Sequence, residues 1–594
     1  MKKNRHLSKI FFVAFLAIGI FSCTEGFEDM NKNPNNFNVA TPEVLLAGAV
    51  KSTVDLVGGE MNDQMYNNYA SFYGGKGGQF PKFFYTDPGV DQYWRRFYVN
   101  ILKNTQEIID NYSDDPKYAN RVHIAKIWKS YVYSVLVSTF GPVPYVDALG
   151  SSTTSTYTSE EAIYIAILDM LKAAGDGITV NGDKLTTDPV FNGNNMMWKK
   201  FANTLRLKIA LRISEGFPTL AQKHGAEVMA NEAGLISSNT ENITIKWETI
   251  LENWSFNYAR YVNIPAQEDV VPFVNFHYIL NMKTYYDPRL KVIAEPSTNP
   301  ITIKDTLFKS GSIIEPRQRV VVQYKIPYFG RPIGANVTLS DWNLNPSKNI
   351  LNGIANNRYS KPSKLLFMAQ DMKFYIVTFA ELNFMLAEAK LKGWGGSKTA
   401  EQYYYAGIDA SFQQYGVSSG VTTYKNRLGI KWGTYFEGDR DLFGIVTSGF
   451  TERKDNPDVD KLDQIVRQIW LTSYNQGHDI WCLQKRTRLL PLIPNFSPDA
   501  SYGTEFADIP ERMVYPISEI GLNKAGYEAA IQALGGNQMN TPLKMNKKPL
   551  FAPDYWNSPP VPAAFNQDFA HRFYGESEDD LKAAGVIYTT IKTL

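Results

Sequence analysis

Two stretches in the second half of the chain repeat apolar side chains at helical spacing, and they constrain the fold more than any other feature. Residues 374–391 and 399–415 are each long enough for several helical turns, and a glycine-rich segment at 393–397 separates them. Small and aromatic side chains recur along both: Phe384, Ala387, Ala389 and Leu391 in the first, and Tyr404, Ala406, Ile408, Ala410 and Phe412 in the second. This arrangement predicts an antiparallel helical hairpin of the tetratricopeptide type, although no strict consensus repeat is present.

Two earlier stretches carry helix signals of a different kind. Residues 158–161 form a capping box, in which we expect the Thr158 hydroxyl to accept a hydrogen bond from the backbone N–H of Glu161. A second helix is predicted from Asn195 to Glu215. Their apolar stripes are Ile163, Ile167, Met170 and Leu171 in the first, and Trp198, Phe201, Leu205, Ile209 and Ile213 in the second. The chain is therefore predicted to be mostly α-helical.

Long segments between these stretches show no helical period. They span residues 74–91, 301–354 and 543–565, are rich in Gly, Pro, Asn and aromatic residues, and contain only short β-like runs such as 319–324. Loops of this length are usually functional. Because no low-complexity linker divides the chain, residues 39–594 are predicted to form one body of tetratricopeptide-like helical hairpins with long irregular loop excursions and a few short β-strands.

The first residues have the pattern of a bacterial lipoprotein signal. A basic start is followed by an apolar run, residues 10–21, which is too short to span a bilayer as a free-standing helix. Ser22 directly precedes Cys23, as in a lipobox, so the signal peptide is predicted to cover residues 1–22 and Cys23 to be lipidated. The alternative is an ordinary cleaved signal in which Cys23 is incidental. The polar, Asn-rich residues 23–38 are predicted to be a tether.

Charge and aromatic content narrow the range of functions. Lys and Arg total 61 and Asp and Glu total 59, so the net charge of +2 provides no long-range field to hold nucleic acid, and no nucleic-acid partner is expected. The low net charge fits a ligand that is itself mostly neutral. Aromatic residues make up 13% of a chain in which only 20% of residues are charged, so some of the rings are expected to face a ligand or a partner.

The sequence carries no signature of a catalytic metal or a nucleotide cofactor. Its six histidines are scattered, without an HExxH or a His–Cys grouping, and no Walker A or Rossmann pattern occurs. The one G-x-S-x-G match, residues 416–420, follows a helix and is predicted to be a turn, and Cys482 is predicted to be an inert buried thiol. Four clustered aspartates are predicted to form a solvated run before a helix, with a weak calcium site as the alternative: Asp455, Asp458, Asp460 and Asp463.

One pair of glutamates has the spacing to suggest catalysis at first sight. Glu381 and Glu388 are two turns apart on one predicted helix face, a separation of about 10 Å, which is at or beyond the upper end for an inverting glycosidase. The neighbouring Ala387 and Ala389 indicate close helix packing. We therefore interpret both glutamates as buried ions or caps with partners such as Arg486.

Aromatic and amide side chains concentrate in two regions, residues 66–94 and 324–345. Such a surface suits the C–H face of a sugar, and a peptide could use it as well. Core packing is the competing interpretation for each ring. It is stronger for Trp94, which shares a helical stripe with Tyr93 and Phe97, and weaker for Trp342. The candidate ligand contacts are Tyr66, Asn67, Tyr73, Tyr85, Trp94, Tyr328, Trp342 and Asn343.

Short motifs occur in a fixed order along nearly the whole chain. They are the lipobox at Cys23 and residues 29–35, 140–149, 198–214, 287–290, 379–389, 470–487 and 514–523. Each motif alone is weak, but their order resembles the SusD/RagB family of outer-membrane nutrient-binding lipoproteins from Bacteroidota. In the motif Asp287-Pro288-Arg289-Leu290, we interpret the aspartate as a turn former that the arginine bridges.

The resemblance implies a non-catalytic, cofactor-free binding protein, anchored in the outer membrane through lipidated Cys23 and facing the cell surface. It would act as a hinged lid over a SusC-type TonB-dependent transporter and deliver an oligosaccharide or oligopeptide captured by loops from the two aromatic regions. Two other classes stay open. A secreted, lipid-anchored glycoside hydrolase would need a close carboxylate pair in a ring-lined pocket. A helical-repeat adaptor would present a concave groove to a protein partner.

Overall fold

The computed structural model describes most of the chain between residues 40 and 546, together with one strand near the C-terminus. The predicted signal peptide and tether lie outside the described residues. No helix among those described combines the length and apolar character that crossing a bilayer requires. The described segments are residues 40–76, 89–150, 155–264, 271–308, 319–331, 356–427, 429–434, 457–490, 509–546 and 587–593.

Helices dominate the described residues, and tetratricopeptide-like packing confirms the predicted fold class. The longer helices are α1 (Pro42–Thr53), α2 (Lys103–Tyr112), α3 (Ala119–Phe140), α4 (Glu160–Gly177), α5 (Asn195–Arg212), α6 (Pro218–Met229), α7 (Phe276–Thr284), α8 (Phe379–Leu391), α9 (Ala400–Gln414), α10 (Pro457–Thr472), α11 (Gly477–Thr487) and α12 (Lys524–Leu534). Short helices are Asn67–Tyr69, Gly89–Arg95, Phe256–Tyr261, Leu290–Ile293, Lys364–Phe367, Val421–Lys425 and Ser518–Leu522. π-Helical turns, which are rare and often lie near functional sites, cover Val54–Glu60, Asn62–Tyr66 and Arg96–Leu102.

The strands are short and form small antiparallel sheets on the helical body. β1 (Tyr73–Lys76) pairs with β5 (Pro272–Val274), β2 (Val143–Pro144) with β3 (Tyr157–Thr158), and β4 (Ile243–Lys246) with β8 (Lys373–Val377). A three-stranded sheet has the order β6 (Ile301–Phe308), β7 (Arg319–Ile326), β9 (Ile587–Thr593). The β-like run predicted at 319–324 is therefore a strand, and it joins segments that are far apart in sequence.

The helical hairpin predicted from the sequence is present as α8 and α9. Thr399 and Gln402 form a complete capping box at the start of α9, because each side chain bonds the backbone N–H of the other. The helices approach closely at Gly407, where a Cβ would lie only 2.6 Å from the Phe384 ring. Glycine at this crossing therefore lets the two helices pack together.

Three predicted boundaries are wrong by a few residues. Residues 374–377 belong to β8, and α8 begins only after Thr378, whose hydroxyl accepts the N–H of Glu381. Pairing with β4, which lies far away in sequence, overrides the local helical pattern. Helix α4 is capped by Ser159 rather than Thr158, because Thr158 is held in β3. Helix α5 ends at Arg212, not at Glu215.

Aromatic side chains fill much of the interior. One continuous hydrophobic cluster runs from Leu45 to Met545, and it contains most of the described rings. The largest fully buried side chains include Trp128, Trp198, Trp470 and Trp481. Much of the aromatic excess in the composition is thus explained by packing between helices. The assignment of residues 39–594 to a single domain remains a prediction.

Candidate functional site

The two aromatic regions singled out in the sequence meet at one place on the body. β1 starts the excursion predicted over residues 74–91 and pairs with β5. Residues 328–331, inside the excursion predicted over 301–354, lie against the end of β5. There the Arg331 N–H donates to the Val274 carbonyl (2.8 Å), and the Phe276 N–H donates to the Arg331 carbonyl (3.0 Å). We call this junction the loop root: residues 73–76, 272–276, 328–331 and 359–360.

Two glycines allow the backbones of the loop root to come this close. A Cβ on Gly74 would lie 2.0 Å from the Arg331 carbonyl oxygen, and a Cβ on Gly330 would lie 2.4 Å from the Phe276 Cα. No side chain fits in either gap, since real Cβ contacts are longer by about an ångström or more. The glycines therefore fix how the two excursions leave the body side by side.

The loop root carries a cluster of four rings. Phe329 and Tyr359 are stacked, with centroids 5.9 Å apart and an interplanar angle of 16°. Phe276 meets Phe329 edge to face at 5.6 Å, and Phe273 lies 5.6 Å from Tyr359. Three of the rings are buried and Tyr359 is half-buried. A half-buried phenol fixed by a stacked partner is a rigid edge that a ligand can contact with little entropy cost.

A cation completes this cluster. The Arg331 guanidinium carbon lies 5.3 Å from the Phe273 ring centroid, within the range of a cation–π contact. Burial lowers the pKa of Arg331, although the nearby Tyr359 acts in the opposite direction. Arginine stays protonated across the physiological range, so the loop root combines ring faces with a permanent hydrogen-bond donor. This combination suits a ligand with apolar faces and several oxygen acceptors.

Five of the eight predicted ligand contacts are buried in the body. Tyr66 and Asn67 are fully covered: the Tyr66 hydroxyl shares a hydrogen bond with Thr139 (2.9 Å), and the Asn67 amide donates to Asn475 (2.8 Å). Tyr73 is 1% exposed and belongs to β1, and Tyr328 is 8% exposed in the loop root. Because these side chains already fill packing positions, a direct ligand contact would require their surroundings to open.

Trp94 is the fifth of these buried residues. It is 5% exposed and contacts the rings of Tyr98, Phe140, Tyr157 and Tyr515. The helical stripe that weakened its candidacy in the sequence is present, since Tyr93 and Phe97 are buried beside it. The remaining candidates, Tyr85, Trp342 and Asn343, lie outside the described residues, so their contact with a ligand stays a prediction.

Four residues of the loop root escaped the sequence analysis: Phe273, Phe276, Arg331 and Tyr359. The only local signal was the presence of three aromatic residues, Phe273, Phe276 and Tyr278, within and just after β5. Their proximity depends on contacts between segments that are distant in the chain, such as the bridge between Asn275 and Arg331. Sequence periodicity reports on one segment at a time and contains no information about such pairing.

Glu381 and Glu388, which lie two turns apart on α8, are both ion-paired inside the body. Glu388 receives both arms of the Arg486 guanidinium, at 2.5 and 2.7 Å. Glu381 pairs instead with Lys208 at 3.0 Å, so the prediction of Arg486 as partner holds for only one of them. Burial raises the pKa of Glu381, whereas Arg486 overcomes burial and lowers the pKa of Glu388.

A small cavity adjoins these charges. Its volume is about 30 Å³, and its polar lining consists of Lys208, Arg212, Glu381, Asp479, Cys482 and Arg486. A cavity of this volume holds about two water molecules, whereas ligand pockets usually exceed about 300 Å³. The cavity therefore has no room for a sugar, and the surrounding charges tie α5, α8 and α11 together.

Cys482 has a neighbour that the sequence analysis overlooked. His478 lies one helical turn earlier, with its Nε2 3.7 Å from the Cys482 Sγ, so a His–Cys pair does exist. Burial by itself raises the pKa of the thiol, but His478, Arg212 and Lys485 lower it to about 5. The thiol is only 2% exposed, as predicted for a buried cysteine. No substrate reaches it in this conformation.

Other motifs of the sequence have structural roles. Residues 416–420 form a turn, with Gly416 at a φ of +69° and a short 3₁₀ helix at Ser418–Gly420, so they do not form a nucleophile elbow. Of the four clustered aspartates, only the side chain of Asp463 is described, and it pairs with Arg467 (3.0 Å). Within the described ranges, no group of three His, Cys, Asp or Glu side chains is arranged to hold a metal ion.

Two family models match the chain. The first, described as starch-binding and associating with the outer membrane, covers residues 34–307. The second, described as SusD and RagB outer membrane lipoprotein, covers residues 340–545. No curated protein sequence matches the chain.

Solved structures share the fold over most of the chain. A chitin-binding SusD homolog from Flavobacterium johnsoniae is 21% identical, with 86% of this chain and 98% of that chain covered and a TM-score of 0.62. A SusD homolog from Bacteroides vulgatus is 19% identical, with coverage of 85% and 98% and a TM-score of 0.65. Another structure, described as a chitin-binding protein, is 24% identical, with coverage of 86% and 100% and a TM-score of 0.65.

Proposed function

The chain belongs to the SusD/RagB family of outer-membrane lipoproteins, and from that premise we propose that it captures an oligosaccharide at the cell surface and delivers it to a SusC-type TonB-dependent transporter. It is a nutrient-binding protein of the SusD type. In this proposal Cys23 carries the lipid that anchors the chain, and the ligand is bound by the loop root together with the excursions that leave it.

The loop root is the observation that carries this proposal. Hydrogen bonds and two close glycine contacts bring together the two regions in which the sequence concentrates rings and amides. Tyr359 offers a half-buried ring edge there, and Arg331 adds a donor. Sugars combine C–H faces with many hydroxyl oxygens, so a cluster of rings with nearby donors matches them better than it matches an extended peptide backbone.

The descriptions of proteins with a similar fold make sugars the first ligands to test. Two of the proteins with this fold are described as chitin-binding, and one of the matching family models is described as starch-binding. The identity to those proteins is at most 24%, so this likeness guides the choice of probes and does not fix the ligand. An oligopeptide remains the alternative ligand.

The absence of catalysis is part of the proposal. Glu381 and Glu388 are buried and paired with Lys208 and Arg486, and the adjoining cavity is too small for a sugar. A glycosidase needs both acids to reach the scissile bond. A binding protein needs only a shaped surface and an easy release, and a lipid tether raises the effective concentration near the transporter without tight affinity.

The first experiment measures binding and turnover together. The full-length lipoprotein, purified in detergent, is titrated by calorimetry with oligomers of N-acetylglucosamine, maltoheptaose and a set of oligopeptides. Tyr359→Ala and Trp342→Ala are expected to weaken binding of the accepted sugar about tenfold, the loss typical of one ring that stacks on a ligand. Tyr118→Ala is the matched control, because Tyr118 is also half-buried and packs on a neighbouring ring, Tyr112, at 4.6 Å.

Each outcome bears on one part of the proposal. Cleavage of a bound sugar would contradict a purely binding role, and binding of peptides alone would replace the ligand class. If Tyr359→Ala and Trp342→Ala both bound the sugar as tightly as the wild type does, the loop root and the excursion over residues 301–354 would be excluded as the binding site. Delivery is tested by affinity purification from cross-linked outer membranes, in which a TonB-dependent transporter should be recovered with the protein. Recovery without any transporter would contradict the lid role.

A further inference from the structure

The His–Cys pair on α11 lies among the charges that tie α5, α8 and α11 together. Cys482 is one of the residues that line the small cavity, together with Lys208, Arg212, Glu381 and Asp479. This cavity is closed to a sugar and to other large substrates, but its volume admits a reagent of the size of water. The Asp479 side chain is 19% exposed, so the polar wall of the cavity reaches the surface of the body.

The charges around Cys482 do not balance when its thiol is neutral. The cluster of described residues contains four Lys or Arg cations, Lys208, Arg212, Lys485 and Arg486, and three carboxylates, Glu381, Glu388 and Asp479. Lys485 is the cation without a carboxylate in the described structure, because its amine donates to the carbonyl oxygens of Ser138 (2.8 Å) and Glu511 (3.1 Å). A buried cation needs a counter-charge. The thiolate form of Cys482, three residues earlier on the same helix, supplies it.

The contacts of His478 point to the same ionisation state. Its Nε2 lies 3.0 Å from the Ser138 hydroxyl oxygen, and that hydroxyl donates its one proton to the Ser134 carbonyl (2.7 Å). The Nε2 is therefore the donor in this contact and carries a hydrogen. The Nδ1 faces a carboxylate oxygen of Asp479 at 3.7 Å. Because both ring nitrogens face oxygen acceptors, the ring is an imidazolium, which adds to the positive excess and pairs with a thiolate at 3.7 Å.

One residue of the cavity wall presents an unsatisfied acceptor. The Glu381 Oε1 pairs with the Lys208 amine at 3.0 Å, whereas its Oε2 is buried and has no hydrogen-bond partner among the described residues. A buried carboxylate oxygen without a donor is costly. A small molecule with O–H groups therefore fits this cavity, because it can donate to Glu381 while it lies beside the sulfur.

We propose that Cys482 is a buried thiolate that a small hydroperoxide oxidises to a sulfenic acid within this cavity. Hydrogen peroxide contains two oxygens, about the content of a cavity that holds two waters, and one of its O–H groups donates to the Glu381 Oε2. This role differs from the inert thiol that the sequence predicts. It concerns a site separate from the loop root, so it is independent of sugar binding.

The reaction uses only the thiolate, the peroxide and one proton of the cluster. The Cys482 sulfur attacks one peroxide oxygen, and the S–O bond forms as the O–O bond breaks. The sulfur loses two electrons to the peroxide, and the second oxygen leaves as hydroxide. This hydroxide takes the Nε2 proton of His478 and becomes water, which leaves the imidazole neutral. Lys208 and Arg212, in the cavity wall, stabilise the negative charge that develops on the leaving oxygen.

The first test measures the ionisation of the thiol in the full-length protein. Thiolate is detected by its ultraviolet absorbance, and the same spectrum of Cys482→Ser removes any signal of Cys23. Burial raises the pKa of this thiol, but His478, Arg212 and Lys485 lower it to about 5, against about 8.5 for an ordinary cysteine. We therefore expect one full thiolate at about pH 7. A protonated thiol at this pH would overturn the proposal.

The second test measures oxidation of the folded protein. The full-length protein is treated with hydrogen peroxide, unfolded in the presence of dimedone, which traps sulfenic acids, and digested for mass spectrometry. The dimedone adduct is expected on the peptide that contains Cys482. N-Ethylmaleimide, which is too large for the cavity, should label this residue only after unfolding. Absence of the adduct, or fast labelling of the folded protein by the maleimide, would overturn the cavity as the site of oxidation.

The third test uses a pair of histidine variants. His478→Gln removes the cationic partner of the thiolate, so we expect the thiolate absorbance at about pH 7 to fall and oxidation by peroxide to slow about tenfold. His277→Gln is the matched control, because it replaces a buried histidine on α7, outside the charged cluster, and it should retain both wild-type values. Oxidation of His478→Gln at the wild-type rate would overturn the role of His478. The first two tests need only the wild type, so they decide the proposal even where this variant does not fold.

Oxidation should also weaken the charged cluster. A sulfenic acid is neutral, so Lys485 loses its counter-charge when Cys482 is oxidised. We expect the oxidised protein to unfold at a lower urea concentration than the reduced protein. Cys482→Ser, treated with peroxide in the same way, should show no such shift, and it controls for oxidation of methionines. An unchanged midpoint after complete oxidation of Cys482 would overturn the thiolate as the counter-charge of Lys485.

Discussion

The guanidinium of Arg486 and the carboxylate of Glu388 form a two-armed ion pair, with Nη1–Oε1 and Nη2–Oε2 distances of 2.5 and 2.7 Å, across the contact between α11 and α8. Both side chains are almost fully buried. Glu388 belongs to the motif at residues 379–389 and Arg486 to the motif at residues 470–487. Because the two side chains pair inside the body, one motif carries an acid and the other a base.

Breaking this pair on one side should destabilise the protein strongly. Glu388→Gln or Arg486→Met leaves one buried charge without a partner, and we expect a loss of about 3–5 kcal/mol in the free energy of unfolding, measured with urea. The double variant should lose much less than the sum of the two. Lys172→Met, in the exposed pair with Asp176, serves as control and should cost no more than about 0.5 kcal/mol. Additive losses in the double variant would contradict this coupling.

The close approach of backbones at Gly74 leads to a prediction about binding. Gly74→Ala places a methyl group against the Arg331 carbonyl, so the two excursions must move apart. We expect weaker ligand binding and a loss of about 1–3 kcal/mol in the free energy of unfolding. Gly89 lies near the end of the same predicted excursion in the sequence. No described residue reaches within 4 Å of its Cβ position, so Gly89→Ala should leave both quantities nearly unchanged. Ligand affinity is measured by calorimetry and the free energy of unfolding with urea, for both variants. Equal values for Gly74→Ala and Gly89→Ala would contradict the prediction.

Buried histidines should make the protein sensitive to acid. Burial lowers the pKa of His277 to about 3, whereas an unfolded histidine titrates near 6.5. Below about pH 6.5 the unfolded state binds a proton that the folded state does not, so stability falls with decreasing pH by about 1.4 kcal/mol per pH unit for this group, until the folded pKa is reached. His277→Gln should flatten the curve of unfolding free energy between pH 6 and 4 by about that slope.

A second histidine provides an independent check on this acid sensitivity. Burial first, and then the neighbouring Arg206, lower the pKa of His224 to about 4. Adding His224→Gln to His277→Gln should therefore flatten the curve further over the same pH range, with the sign of the effect unchanged. Curves of equal slope in the wild type and both variants would show that these imidazoles do not account for the acid sensitivity.

Arg289 should not tolerate replacement by lysine. Its guanidinium pairs with Asp287, donates to Ser411 and Thr472, and lies between the rings of Phe412 and Tyr424. A lysine cannot fill this planar arrangement, so Arg289→Lys should lower the free energy of unfolding by about 3 kcal/mol or more, measured with urea. The exposed Arg95, changed to lysine in the same way, should show almost no effect. A small loss for Arg289→Lys would indicate that charge alone is sufficient at this position.

Local patterns account for the parts of the fold that were predicted correctly. The hairpin of α8 and α9 follows from helical spacing and from a capping box complete within four residues, Thr399 to Gln402. The bridge from Arg289 to Asp287 is likewise formed within one short motif. The predictions were wrong where pairing with a distant segment replaced the locally favoured structure. Residues 374–377 have a helical pattern in the sequence, yet pairing with β4 makes them a strand.

The candidate site shows the same difference between what local sequence patterns predict and what depends on contacts between distant segments. The sequence identified the two aromatic regions, because ring density is a property of each segment, and it identified Tyr328 in the second of them. It could not identify Tyr359 or Arg331 as members of one cluster, since their contacts depend on β1, β5 and residue 331 meeting in space. Burial likewise separated Tyr66 and Trp94, which pack inside, from Tyr359, which reaches the surface.

The sequence by itself determined the helical class, the predicted lipid anchor and the family resemblance, because these depend on short-range spacing and on the order of motifs. Only the tertiary structure decided which charges are neutralised and which are not. Lys208 and Lys283 look alike in the sequence, each a lysine within a helix. Folding brings Asp479 to the first, whereas no acid of the described residues pairs with the second. The energy of a buried charge thus depends on neighbours that are remote along the chain.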